Sequence, residues 1–162
     1  KSRFNIQAPF SKGEWTYATN GHICIRVPRL HMPAFPEKED APDCERIFKE
    51  AEKNGPYEWV EVPEVEIPTV ECEFCEGTGK IEEEEDVCYE CEGDGKLQKI
   101  ASVTFRMNDV PIWLSNIYVD LIRKELPNPQ IGLTVKAATM VNAKPVKIKF
   151  DGGEGLLMAR RI

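Results

Sequence analysis

The strongest constraint on this chain is a nine-residue block that occurs twice. Residues 72–80 read Cys-Glu-Phe-Cys-Glu-Gly-Thr-Gly-Lys and residues 88–96 read Cys-Tyr-Glu-Cys-Glu-Gly-Asp-Gly-Lys, a shift of 16 residues. An aliphatic residue, Ile81 or Leu97, follows each block. A Cys-x-x-Cys turn brings two thiolates to one side of a tight loop. Two such turns facing each other complete a tetrahedral shell of four sulfurs at about 2.3 Å from a metal. The glycines allow the backbone to turn back beneath the sulfurs with positive φ, leaving amide N–H groups free to spread the thiolate charge. The expectation is one structural Zn2+ ion held by Cys72, Cys75, Cys88 and Cys91, with no open position for catalysis. The 12 residues between the two pairs suffice for a hairpin.

Three other chemistries use cysteines in pairs. Independent disulfides suit exported domains, yet the first residues, Lys1-Ser2-Arg3-Phe4-Asn5, hold no apolar export segment. An iron–sulfur cluster also takes four cysteines, although paired knuckles favour zinc. A redox pair usually sits at a helix N-terminus that lowers its thiol pKa, whereas Gly-x-Gly follows both pairs here. Zinc in a reducing, cytoplasmic setting is therefore the expectation.

Charge is unevenly spread over the 162 residues. Residues 64–100 carry 13 acidic and 3 basic side chains, and the remainder carries 15 and 18. The acidity belongs to the cysteine segment, while the rest is mildly basic, so DNA is not excluded as a partner by net charge. The run Glu82–Asp86 reads as a solvated hairpin tip and lacks the spacing of a calcium loop. No stretch reaches the ~18 apolar residues of a membrane span.

Outside that segment the pattern is one of short strands and two helices. Residues 13–28 predict a hairpin with a tight type I′ turn at Asn20-Gly21, followed by alternation of Ile23, Ile25 and Val27 with Cys24 and Arg26. Prolines make 28–42 a loop. Residues 43–53 predict a helix capped by Asp43, with Cys44, Ile47, Phe48 and Ala51 on one face. Strands are expected at 57–62, 65–70, 100–107, 131–135, 146–150 and 156–160. Ser115 is expected to cap a second helix bearing Tyr118, Leu121, Ile122 and Leu126, which Pro127 ends. The glycine-rich Asp151–Gly155 segment reads as a turn, and Cys24 and Cys44 as buried small hydrophobes. The order favours an α+β fold over a parallel α/β one.

The repeat Cys-x-x-Cys-x-Gly-x-Gly resembles the cysteine-rich domain of DnaJ-type co-chaperones. That family has four such repeats forming two zinc sites, and two repeats imply one site, with zinc ligation by the same four cysteines. The His-Pro-Asp tripeptide of the family's J-domain does not occur among these 162 residues, where His22 precedes Ile23 and His31 precedes Met32. A second resemblance covers about 60 residues. Thr16-Tyr17-Ala18-Thr19-Asn20-Gly21-His22 and the tail from Asn116 to Ile162, with Lys144-Pro145-Val146-Lys147-Ile148 and Leu156-Leu157-Met158-Ala159-Arg160, are similar to a domain of bacterial sliding clamps, the DNA polymerase β-subunit family. This resemblance implies a single clamp-type β-α-β-β-β body, residues 1–70 and 97–162, with the zinc-binding β-hairpin of residues 71–96 inserted. It implies that Leu157, Met158 and Arg160 stand where clamps bind partner peptides, although the alternating apolar residues of that strand favour plain core packing. It also implies that surrounding DNA would require a homo-oligomer. Arg123 and Lys124 could meet DNA phosphates, but two basic residues at a helix C-terminus are also expected from the macrodipole.

Nothing in the chain has the form of a catalytic centre. There is no Gly-x-Ser-x-Gly elbow and no phosphate loop. The expected function is therefore a non-catalytic, zinc-binding module for a protein partner or DNA, with a replication-related or phage and mobile-element role implied by the clamp resemblance. The alternatives are a zinc-dependent holdase for unfolded chains, and a hydrolase whose site would show as a pocket holding His22 beside carboxylates.

Overall fold

A computed structural model describes residues 8–81, 86–139 and 142–161. The fold is mixed and mostly antiparallel sheet, with two α-helices among the described residues. Three N-terminal strands, β1 (Phe10–Lys12), β2 (Trp15–Thr19) and β3 (Ile23–Pro28), form a meander. The last three, β9 (Gln130–Leu133), β10 (Val146–Phe150) and β11 (Gly153–Leu157), form another. Antiparallel pairing of β3 with β11 joins them, and β4 (Glu58–Glu61) adds to the β9 edge. The result is one seven-stranded sheet in the order β1-β2-β3-β11-β10-β9-β4.

Both faces of this sheet are covered, and the period-2 alternation of strands decides which residue meets which layer. Cys24 and Leu156 face α1 (Cys44–Glu52) with Phe10, Tyr17, Cys44, Phe48 and Ala51. Their neighbours Ile23 and Leu157 face the other way. There they join Ile131, Leu133, Val146 and Ile148 against α2 (Asn116–Glu125) and the hairpin of β7 (Ser102–Met107) and β8 (Val110–Ser115). Arg26 lies on the α1 side. It is only 8% exposed, stacks 4.1 Å from the Trp15 ring centre and 4.0 Å from that of Phe48, and pairs with Glu154. A charge so far from water needs such partners.

Asp43 caps α1 as expected, its Oδ1 accepting from the Arg46 amide at 3.2 Å. Other expectations shift. The 19–24 loop is not a type I′ turn: Asn20 Oδ1 accepts from the amides of His22 and Ile23, an Asx-type closure that leaves only Gly21 at positive φ, 90°. A two-residue turn with both φ positive occurs instead at Asn108 (50°) and Asp109 (63°), between the paired Met107 and Val110. β8 is not among the expected strands, and its Pro111 is tolerated in a two-stranded ribbon. β11 begins earlier than expected, at Gly153. A Cβ at Gly155 would lie 2.5 Å from Ile25 Cδ1 and 2.9 Å from the Cys24 carbonyl oxygen, so glycine here serves close strand packing. Of residues 65–70, only the end is extended, as β5 (Thr69–Glu71). Ser115 makes no capping bond; the buried Asn116 beside it accepts from the Ala101 and Ile117 amides and donates to the Lys99 carbonyl.

That asparagine ties α2 to the chain leaving β6 (Lys96–Gln98), which pairs with β5 in a separate two-stranded ribbon. The cysteine segment lies between β5 and β6. Ile112, fully buried between sheet and α2, tests how far the β7–β8 hairpin belongs to the core. Ile112→Ala is expected to lower unfolding stability by about 2–5 kcal/mol in urea titrations, and a loss below about 1 kcal/mol would mean that the hairpin packs only loosely.

Candidate metal centre

The ribbon brings all four predicted cysteines together. Cys72 and Cys88 are fully buried, Cys75 is 7% and Cys91 5% exposed, and their sulfurs lie within 4.8 Å of one another. The Cys72–Cys88 sulfurs are 3.9 Å apart and the Cys75–Cys91 sulfurs 3.7 Å. Sulfurs about 2.3 Å from a common tetrahedral centre would be about 3.8 Å apart, whereas a disulfide needs about 2.0 Å. All six cysteines are free thiols.

The two blocks repeat their hydrogen bonds as they repeat their sequence. The Gly79 amide donates to Cys75 Sγ and the Gly95 amide to Cys91 Sγ, each at 3.2 Å. The Cys72 amide donates to the Gly95 carbonyl and the Cys88 amide to the Gly79 carbonyl, each at 2.9 Å. Each knuckle therefore buttresses the other. Within each, the Gly77 amide bonds to the Cys72 carbonyl and the Gly93 amide to that of Cys88. Glu76 and Glu92 follow the second cysteines with φ of 49° and 51°, a left-handed step that turns the chain back under the sulfurs.

The glycines differ in how firmly they are required. A Cβ at Gly79 would sit 2.1 Å from the Gly93 carbonyl oxygen, and one at Gly95 2.2 Å from that of Gly77. At Gly77 it would meet the movable end of Glu71 at 2.8 Å. The aliphatic residues that follow the blocks, Ile81 and Leu97, pack against the sulfurs. Burial pushes Cys88 up to about 11. Burial also opposes ionisation of Cys75, but the Gly79 amide and the neighbouring thiols outweigh it and lower this thiol to about 7. Four adjacent thiols cannot all ionise without a compensating cation, so the cluster could hold one metal ion.

Phe74, Val87 and Tyr89, three of the segment's few apolar residues, are 53%, 62% and 63% exposed. Phe74 and Tyr89 meet each other, ring centres 4.7 Å apart. The pairing escapes sequence inspection because the two rings occupy different positions of the repeat. Of the Glu82–Asp86 run, residues 82–85 lie outside the described residues.

The other candidate residues do not join the cluster. Arg123 reaches Glu64 at 3.5 Å and Lys124 reaches Asp120 at 2.8 Å. Leu157 is core, while Met158 and Arg160 border a groove of about 330 Å³ with His22, Ser115 and Tyr118; no carboxylate lines it among the described residues. No helix among the described residues is long and apolar enough to cross a membrane. Gly79→Ala or Gly95→Ala should cost metal affinity at least tenfold in chelator competition, while Gly13→Ala, at a turn with open space around it, should leave it unchanged. Equal affinities would mean that the knuckles do not support each other. No protein-family model, curated protein or solved structure matches the chain.

Proposed function

We propose that this chain is a non-catalytic interaction module whose cysteine ribbon is held together by one structural Zn2+ ion. The observation that carries the proposal is the buried set of four sulfurs within 4.8 Å of one another, two pairs of them 3.9 and 3.7 Å apart and two of the sulfurs accepting backbone amides. Four thiolates and amide donors suit zinc and leave no position for substrate.

The ribbon is the part for which zinc matters most. Among the described residues only Ile81 and Leu97 pack against the sulfurs and the Phe74–Tyr89 contact is exposed, so metal binding would supply much of its folding energy. The DnaJ-type resemblance supports zinc. The clamp-type resemblance supports a body of residues 1–70 and 97–162 carrying residues 71–96 as an insertion, and a role alongside replication in a phage or mobile element. A protein partner is favoured over DNA at the ribbon, because its acidic side chains repel phosphates. Zinc-dependent holding of unfolded polypeptide is the second reading, favoured by the exposed Phe74, Val87 and Tyr89.

Native mass spectrometry of the purified chain is expected to show one zinc per chain, lost in Cys72→Ser and Cys88→Ser. Retention of one zinc by both variants would contradict the ligand set. Deleting residues 72–96 would abolish suppression of aggregation of a test protein if the holdase reading is right, and leave it intact if it is not.

A further inference from the structure

We propose that the Phe74–Tyr89 pair on the zinc ribbon is the anchor of a docking surface for a partner segment that combines lysine or arginine with apolar side chains. The proposal rests on the zinc module described above and names the chemistry of its partner.

The pair is not needed to bury the metal centre. Ile81 and Leu97 cover the sulfurs, whereas both rings remain more than half exposed. Two aromatic rings in a tilted contact at 4.7 Å, both open to water, form a rigid apolar platform. Each ring projects from the middle of a knuckle, so its backbone is fixed by the cysteines on either side. A surface of this kind needs little ordering on binding, which favours affinity for a given area.

Charge identifies the occupant. Each ring shares its knuckle with a glutamate, Glu73 beside Phe74 and Glu90 beside Tyr89, and Glu76 and Glu92 follow the second cysteines. All four are exposed, and none has an ion-pair partner among the described residues. Carboxylates rimming aromatic faces attract a cation twice, through the acid and through the ring quadrupole. The same rim opposes nucleic-acid phosphates and acidic peptides. A segment carrying both cations and apolar side chains satisfies rim and platform together, as an uncharged apolar segment does not.

The test uses the full zinc-loaded chain and fluorescein-labelled 12-residue peptides. One alternates Lys or Arg with Leu and Trp, a second replaces every Lys and Arg by Glu, and a third replaces every Leu and Trp by Ser. Zinc content is measured on the same samples. Only the first peptide is expected to bind, more weakly at higher salt. Phe74→Ser/Tyr89→Ser should weaken it by roughly tenfold or more while zinc stays at one per chain. Glu73→Gln/Glu90→Gln should weaken it and flatten its salt dependence. Equal binding of the basic and acidic peptides, unchanged binding by the aromatic double variant, or no binding at about 1 mM would overturn the docking surface. If zinc is present in those cases, the zinc module stands and only the docking fails; a zinc-free protein would overturn the earlier reading instead. Direct binding of a fluorescein-labelled DNA duplex that is lost in Phe74→Ser/Tyr89→Ser would overturn the choice of partner.

Discussion

A methyl group at Gly79 would lie 2.1 Å from the carbonyl oxygen of Gly93, and one at Gly95 2.2 Å from that of Gly77. Those two approaches hold the knuckles back to back, with no room for side chains between them. They let the Cys72 and Cys88 amides reach across to the opposite glycine carbonyls, and they bring four sulfurs within 4.8 Å of one another. The burial of the thiols and the amides aimed at two of them accompany this backbone contact. A bound cation would add what the contact lacks, a positive charge to offset four thiolates in a buried site.

The seven-stranded sheet is stabilised by different means. It has apolar layers on both faces, α1 on one and α2 with the β7–β8 hairpin on the other. The two parts meet through Asn116, which binds the chain at Lys99 and Ala101 just after the ribbon. A body that folds on hydrophobic burial can thus carry a ribbon whose geometry depends on sulfur and glycine. This division also explains the charge pattern: a ribbon that does not rely on an apolar core can carry dense acidic side chains on its surface.

Legibility in the sequence followed the range of the interactions. The cysteine cluster was readable because its constraints are local: residue type and a shift of 16 positions determine which atoms meet. Asp43 as the α1 cap and β10 at Val146–Phe150 were also readable, each from a short signal. β8 contains Pro111, which weakens a strand signal, and its Asn108-Asp109 turn was hidden by the more familiar Asn20-Gly21, which closes through its side chain instead. Gly153 and Gly155 resembled a turn because close approach to β3 cannot be read from β11 alone. The strand order, with first and last meanders joined at β3 and β11, is a property of distant segments. Periodicity does not encode it.

The central claim is that four sulfurs from two knuckles share one metal ion. X-ray absorption at the zinc edge of the purified full chain tests it most directly, since it counts ligands and identifies their element. Four sulfur neighbours at about 2.3 Å and no nitrogen or oxygen are the predicted result. A shell containing nitrogen or oxygen, or metal-free protein whose thiols are consumed in disulfides, would contradict it.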